Sequence, residues 1–200
     1  MTIASDFKAF LSYLDLDSFA RSPDVICIVD DAMILKAYND AWINFAKTNN
    51  GAKVLVDFPL GSNIVDAGEE PIRSFLAEAY TRALRNNEPF EQNYECSSAT
   101  EYRLFRQTAY PLIRSKGLII SHHLVKKMPH EEEATEFSKR FFNGHGIIIQ
   151  CQNCRKIRDP KDSQRWYWIP SLVNSPLANI SHSICTPCLD HYYPDIDYDQ

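Results

Sequence analysis

Nothing in this chain suggests a membrane or a nucleic-acid partner. Its apolar runs, Gly117 to Ile120 among them, fall far below the roughly 20 residues a spanning helix needs. The N-terminus, Met1-Thr2-Ile3-Ala4-Ser5-Asp6, has no basic segment leading into a long apolar stretch, so it does not read as a signal peptide. No basic run is dense enough to track phosphates, and the net charge is −5, which disfavours nucleic acid. Phosphate-loop, dinucleotide and nucleophile-elbow patterns are missing. So is any recognisable kinase or cyclase segment, and nothing along the chain pairs a nucleophile with a base. The expectation is a non-enzymatic protein of the cytoplasm, where paired cysteines serve metal or redox sites more often than structural disulfides.

What is present is enough for two folded parts. The 200 residues, 44% hydrophobic and 12% aromatic, suit a medium domain followed by a small one. Four of the six cysteines form two C-x-x-C pairs, Cys151/Cys154 and Cys185/Cys188. Two residues between cysteines let one tight turn aim two sulfurs at one ion, and two such turns complete a tetrahedron of thiolates suited to Zn²⁺. His182 lies three residues before Cys185 and is either an alternative ligand or a group that orients a ligand sulfur. Four cysteines leave no position for water or substrate, which points to a structural ion. The other reading of the same pairs is a set of thiol switches without metal. Arg155 and Lys156 either offset the charge of four thiolates or bind an anionic partner. Cys27 and Cys96 fall in apolar or alternating stretches and are expected to be packed core thiols.

Residues 1–22 form an N-terminal cap. Ile3, Phe7, Phe10, Leu11 and Leu14 recur at helical spacing, which predicts a short amphipathic helix over about 3–14, packed on its own domain or forming a dimer contact. Val25 to Val29 and Met33 to Tyr38 are two strand-like runs broken by Asp30-Asp31-Ala32, a hairpin signal. Asn39-Asp40 caps a helix carrying Trp42, Phe45 and Ala46 on one face, and Asn49-Asn50-Gly51 ends it. Pro71 to Asn86 is the clearest helix, with a stripe of Ile72, Phe75, Leu76, Ala79, Tyr80, Ala83 and Leu84. Phe90 to Ser97, Glu101 to Pro111 and Lys116 to Val125 follow as a meander.

This order resembles a PAS domain over 23–127. The resemblance rests on Pro23-Asp24-Val25-Ile26-Cys27-Ile28-Val29-Asp30, Ile34, Asn39-Asp40-Ala41-Trp42, Tyr94-Glu95-Cys96-Ser97-Ser98, Arg103-Leu104-Phe105 and Ile119-Ile120-Ser121-His122. It implies a five-stranded antiparallel sheet with flanking helices, often enclosing a cavity for flavin, haem or a metabolite. The helices at 39–48 and 71–86 contain no histidine, and Gly61 to Asp66 contains no cysteine for a flavin adduct. His122 or His123 is a possible haem ligand or simply a polar strand residue. No ligand can be named.

A charged stretch over 128–146, with a helix predicted from Ala134 to Phe142, reads as a connector: a solvated helical face or a signal-transmitting helix. Residues 147–200 then resemble a short cysteine-rich module that ends bacterial signalling proteins carrying PAS or receiver domains. The matching residues are Cys151, Cys154, Lys156-Ile157-Arg158-Asp159, Trp168, Ser181-His182, Ile184-Cys185, Cys188 and Tyr193-Pro194. Ser183 replaces the usual glycine, and the usual proline is displaced to Pro187. The fold expectation is α+β, a PAS-like sheet plus a small zinc-ribbon-like module. The functional expectation is a sensor of a ligand or partner whose zinc module contacts another signalling protein, with a possible homodimer through the N-terminal helix or the sheet. The alternative is a cysteine-based redox sensor.

Overall fold

The chain begins with a strand where a helix is predicted. In the computed structural model, which describes residues 1–49 and 51–194, β1 is Thr2–Ile3 and the first helix, α1, is Leu16–Arg21. Between them the backbone makes successive turns, with Phe7 N bonded to Ala4 O, Phe10 N to Phe7 O and Leu14 N to Leu11 O. Each turn spans three residues, so it repeats the spacing of a helix without the i−4 ladder that defines one. The apolar side chains face inward: Leu11 packs with Ile28, Ala37 and Leu112, and Ile3, Phe7, Phe10 and Leu14 surround that cluster. Leu11 is buried, and Ile3, Phe7, Phe10 and Leu14 are partly buried against their own sheet.

Next come β2 (Val25–Asp30), β3 (Leu35–Tyr38), α2 (Asp40–Thr48), α3 (Val54–Asp57), α4 (Ile72–Asn86), β4 (Phe90–Glu95), β5 (Glu101–Pro111) and β6 (Gly117–Pro129). They build an antiparallel sheet ordered β1-β3-β2-β6-β5-β4 with flanking helices, so the expected five strands gain β1 as a sixth. β2 is the sheet's apolar centre, paired with β3 and β6. Cys27 and Val29 point to one face, where they meet Tyr80, Ala83 and Leu84 of α4, and Ile28 points to the other. Burial on both faces explains why this strand is an unbroken apolar run rather than an alternating one.

Local chemistry fixes the turns. Asp30 Oδ1 accepts from Ala32 N and Ile34 N, each at 3.0 Å, and closes the β2–β3 hairpin. Asn39 is buried and caps α2 by accepting from Trp42 N at 3.1 Å, while its Nδ2 donates to Asp24 O at 2.8 Å. Asn87 ends α4 in the left-handed conformation at φ 54°, as a C-terminal cap should. The α2 stop differs from expectation: Gly51 donates to Ala46 O at 2.8 Å without positive φ, and Asn50 lies outside the described residues. Gly117 has φ +152°, and a Cβ there would lie 2.0 Å from Val29 O, so β6 enters beside β2 only through glycine. Cys27 is the expected core thiol, but Cys96 is only half-buried.

The predicted connector helix is absent. β6 runs on to Pro129, Ala134 bridges in parallel to Trp168, and only a 3₁₀ turn, Lys139–Phe141, interrupts the segment. Phe137, Phe141 and Phe142 belong to an apolar cluster with Ile148, Ile157, Ile169 and Leu172. Tertiary burial of these rings overrides the helical spacing of 137 and 141.

The remaining elements are β7 (Ile148–Cys151), β8 (Ile157–Arg158), β9 (Trp166–Tyr167), α5 (Pro170–Asn174), β10 (Ile180–Ser183) and α6 (Thr186–Tyr192). Their sheet is ordered β10-β7-β8-β9. The chain groups into two compact units: Met1–Gln92 with Arg106–His123, and Asn93–Phe105 with the chain from Leu124. The second unit thus takes in more than the expected 147–200, including 124–146 and the residues that link β4 to β5.

Candidate metal centre

The first cysteine pair sits on a hairpin turn. β7 and β8 pair antiparallel with Gln150 opposite Ile157. Across the turn Cys151 N donates to Lys156 O at 2.8 Å and Arg155 N to Cys151 O at 3.1 Å. Arg155 takes φ 63°, the left-handed residue that lets the chain double back just after Cys154. Inside this turn Asn153 is buried and its Oδ1 accepts from Tyr193 OH at 3.3 Å. Burial pushes the Tyr193 phenol up to about 12, keeping it a donor. The tyrosine of the C-terminal motif therefore braces the first turn.

The second pair arrives by a parallel return. β8 pairs β9, α5 follows, and β10 then lies parallel to β7 with Ser183 opposite Cys151. Gln152 N extends that ladder to Ser183 O at 2.8 Å. Two residues beyond Ser183, Cys185 occupies the cap position of α6, and Cys188 lies in its first turn. The second pair thus stands at a helix start instead of on a second knuckle. Pro187 falls within that first turn, where a missing N–H costs nothing, so the displaced proline keeps the turn. This crossover is how 30 intervening residues (155–184) bring the pairs together.

The outcome is four buried cysteines whose Sγ atoms all lie within 4.8 Å of one another. Cys154 Sγ and Cys185 Sγ are 3.7 Å apart. A tetrahedron with metal–sulfur bonds of about 2.3 Å has edges of about 3.8 Å, so the donor set and its spacing fit one four-coordinate ion. Cys185 N donates to Cys151 Sγ at 3.4 Å, orienting that sulfur as outer hydrogen bonds do in metal sites. Without a cation the four thiols compete for charge. S–H donation from Cys154 and its neighbours drives Cys151 down, while the anion already at Cys151 drives Cys188 up. A bound cation relieves that conflict by holding all four as thiolates.

The surroundings carry both signs. Lys156 Nζ lies 2.8 Å from Glu132 Oε1; burial weakens its charge, but the Glu132 pair more than offsets this and raises its pKa. Burial raises the Glu95 carboxyl, against a hydrogen bond from Ser97. Glu95, Lys156, Gln164, Trp166, Pro187, His191 and Tyr192 line a cleft of about 340 Å³ whose floor includes Cys154, Cys185 and Cys188. Sequence reasoning missed Glu95, Trp166, His191 and Tyr192: long-range pairing brings in Glu95 and Trp166, while His191 and Tyr192 stand one turn beyond Cys188 on α6, a helix that starts at the second pair, where the sequence reads as a knuckle. His182 is exposed and stands outside the sulfur cluster, since β10 pairing places it opposite Gln150, away from the cap of α6. The close cluster of ligand atoms is thus made by the four cysteines.

In the first unit, His122 is half-buried and His123 exposed, the opposed facing expected of neighbours on a strand. His123 Nδ1 pairs with Asp24 Oδ1 at 2.9 Å, and burial pulls His122 down to about 4. Gln107 Nε2 donates to Tyr80 OH at 2.7 Å and Gln92 Nε2 to Gln107 Oε1 at 3.0 Å, so these polar groups largely satisfy one another inside the core. No helix among the described residues is long and apolar enough to cross a membrane.

No family model matches the chain, and no curated protein matches it. Solved structures do. The phage VqmA–DPO complex is similar at 18% identity over 60% of this chain, with a TM-score of 0.44, and the match spans about half of that chain, 54%. The PAS domain of Bordetella pertussis BvgS is similar at 18% identity over 61% of this chain and 87% of that one, with a TM-score of 0.41. The PAS domain of nitrogen regulation protein NR(II) from Vibrio parahaemolyticus is similar at 12% identity over 56% and 98%, with a TM-score of 0.38.

Proposed function

We propose that this chain is a non-enzymatic, cytoplasmic bacterial signalling protein. Its first unit is a PAS-like sensor of a small ligand or a protein, and its second is a zinc-stabilised module that contacts another signalling protein. The observation that carries this reading is the convergence of Cys151, Cys154, Cys185 and Cys188 within 4.8 Å. Among common ions, four tetrahedral thiolates suit zinc best. The zinc closes the fold of a unit whose strands run only two to four residues outside the long sheet. Four sulfurs leave no open position, so the ion would serve structure and not hydrolysis. The sensor half is supported by the antiparallel sheet with flanking helices and by the PAS-like residues from Pro23 to His122.

Elemental analysis of the purified chain, with a thiol count, tests the proposal. About one zinc per chain with four protected thiols is expected. A metal-free chain whose C-terminal residues stay ordered in chelator removes it.

A further inference from the structure

The four sulfurs are not equally placed. Cys151 has no exposed surface, takes no part in the cleft, and its sulfur is covered by the Cys185 amide at 3.4 Å. Cys154, Cys185 and Cys188 keep 6%, 3% and 5% of their surface, and all three line the 340 Å³ cleft; what marks out Cys154 and Cys185 among them is their direct sulfur–sulfur contact. Their sulfurs are 3.7 Å apart, so a bond of about 2.05 Å needs a closure of only about 1.7 Å. They also come from opposite halves of the site, the hairpin turn and the helix cap, so joining them removes a ligand from each half.

We propose that Cys154 and Cys185 are a modification site: a hydroperoxide entering the cleft oxidises this pair to a disulfide and empties the metal centre. This rests on the metal reading of the same cluster. One thiolate attacks the peroxide oxygen, the O–O bond breaks, and a sulfenic acid forms as the alcohol or water leaves with a proton from solvent. The second thiolate attacks the sulfenyl sulfur and displaces hydroxide, which leaves as water. Two thiolates, one hydroperoxide and two protons thus give one disulfide, one alcohol or water, and one further water. Two electrons pass from sulfur to the O–O bond, and two of the four ligand sulfurs are withdrawn from the ion. Pairing of β10 with β7 leaves Cys151 shielded throughout.

The test uses full-length protein with its zinc content measured first. Hydrogen peroxide is added at a few equivalents, zinc release is followed with a chromogenic chelator, and disulfides are mapped by peptide mass spectrometry. One zinc should leave per disulfide formed, the chain should lose about 2 Da, and the first disulfide should join Cys154 to Cys185. Gln164→Trp, which narrows the cleft without touching a ligand, should slow release several-fold. Zinc retained with thiols intact, a first disulfide containing Cys151 or Cys188, or an unchanged rate in the Gln164 variant each overturns the proposal. If the protein carries no zinc before oxidant is added, the metal reading fails instead, and disulfide mapping of that chain still decides whether this pair is the reactive one.

Discussion

The two units solve the same problem with different means. In the first, β2 is buried on both faces, with Cys27 and Val29 against α4 and Ile28 against the N-terminal segment. Apolar contact there extends across a wide sheet. In the second, one buried apolar cluster is Phe141, Ile148, Ile157, Ile169 and Leu172, Phe105, Trp168, Ile184 and Leu189 are buried as well, and the small sheet has two strands of four residues and two of two. Ordering each residue costs roughly 1–2 kcal/mol of entropy, and strands this short pair few residues to offset it. On the proposed metal reading, a cross-link between the β7–β8 turn and the start of α6 would supply what apolar burial does not. On that reading the comparison teaches that one chain can divide its stability between a distributed force and a single point of attachment.

The sharpest way to break that comparison is to remove the point of attachment. Chelation, or Cys151→Ser, should unfold the second unit and leave the first intact, because structural zinc contributes about 10–16 kcal/mol in small domains. Hydrogen exchange reads the outcome: amides of β7 and β10 lose protection while those of β2 and β3 keep it. Equal loss in both units would show that they are not separately held. The converse is Leu35→Ala, at a residue with no exposed surface in the first unit's core. It should cost about 2–5 kcal/mol and leave zinc stoichiometry unchanged. A fall in metal content would tie the two mechanisms together.

Asn39→Ala sharpens the picture of the first unit. Asn39 accepts from Ile26 N and Trp42 N and donates to Phe19 O and Asp24 O. Losing the cap and stranding buried backbone groups should cost about 2–3 kcal/mol, measured by denaturant titration. A smaller effect separates the units by pH. Burial holds His122 neutral down to about 4, whereas the unfolded ring takes a proton near 6.5. Protons therefore bind the unfolded chain preferentially as pH falls from about 6.5 toward 4, and stability is lost across that window. Near pH 5.5 the loss is about 1 kcal/mol after allowing for solvent around the exposed part of the ring. His122→Gln should flatten the dependence in the first unit.

How much of this was legible in the sequence follows from how local each signal is. The C-x-x-C pairs were legible because their geometry is set by two intervening residues, and α4 because its stripe runs unbroken for four turns. β2 and the β2–β3 hairpin were legible from an apolar run closed by an Asp that bonds its own turn. The N-terminal segment misled because successive three-residue turns place Phe7, Phe10 and Leu14 on one side as a helix would. The 134–142 segment misled for a related reason: Phe137 and Phe141 face one cluster, but the parallel bridge of Ala134 to Trp168, a partner 34 residues away, sets the backbone. His182 lies close to Cys185 in sequence, and the register of β10 sets it opposite Gln150. Glu95 was invisible as a cleft residue because it reaches the site from a strand 56 residues before Cys151.

The smallest effect concerns the turn itself. Arg155 adopts φ 63°, which costs an L-residue about 1–2 kcal/mol, while glycine there would lose about 0.5–1 kcal/mol more chain entropy on folding. Arg155→Gly should therefore ease the turn by about 0.5–1 kcal/mol and tighten zinc binding roughly two- to fivefold. The same change deletes a positive charge next to Cys154, which works against a cluster of thiolates. Salt separates the two contributions, because backbone strain does not depend on ionic strength and a half-exposed charge is screened. The gain should appear in full at high salt and shrink at low salt, as competition with a zinc-buffering chelator would measure. A loss of affinity that persists at high salt would mean that the arginine side chain braces the turn by contact, and that the attachment point is built from more than its four sulfurs.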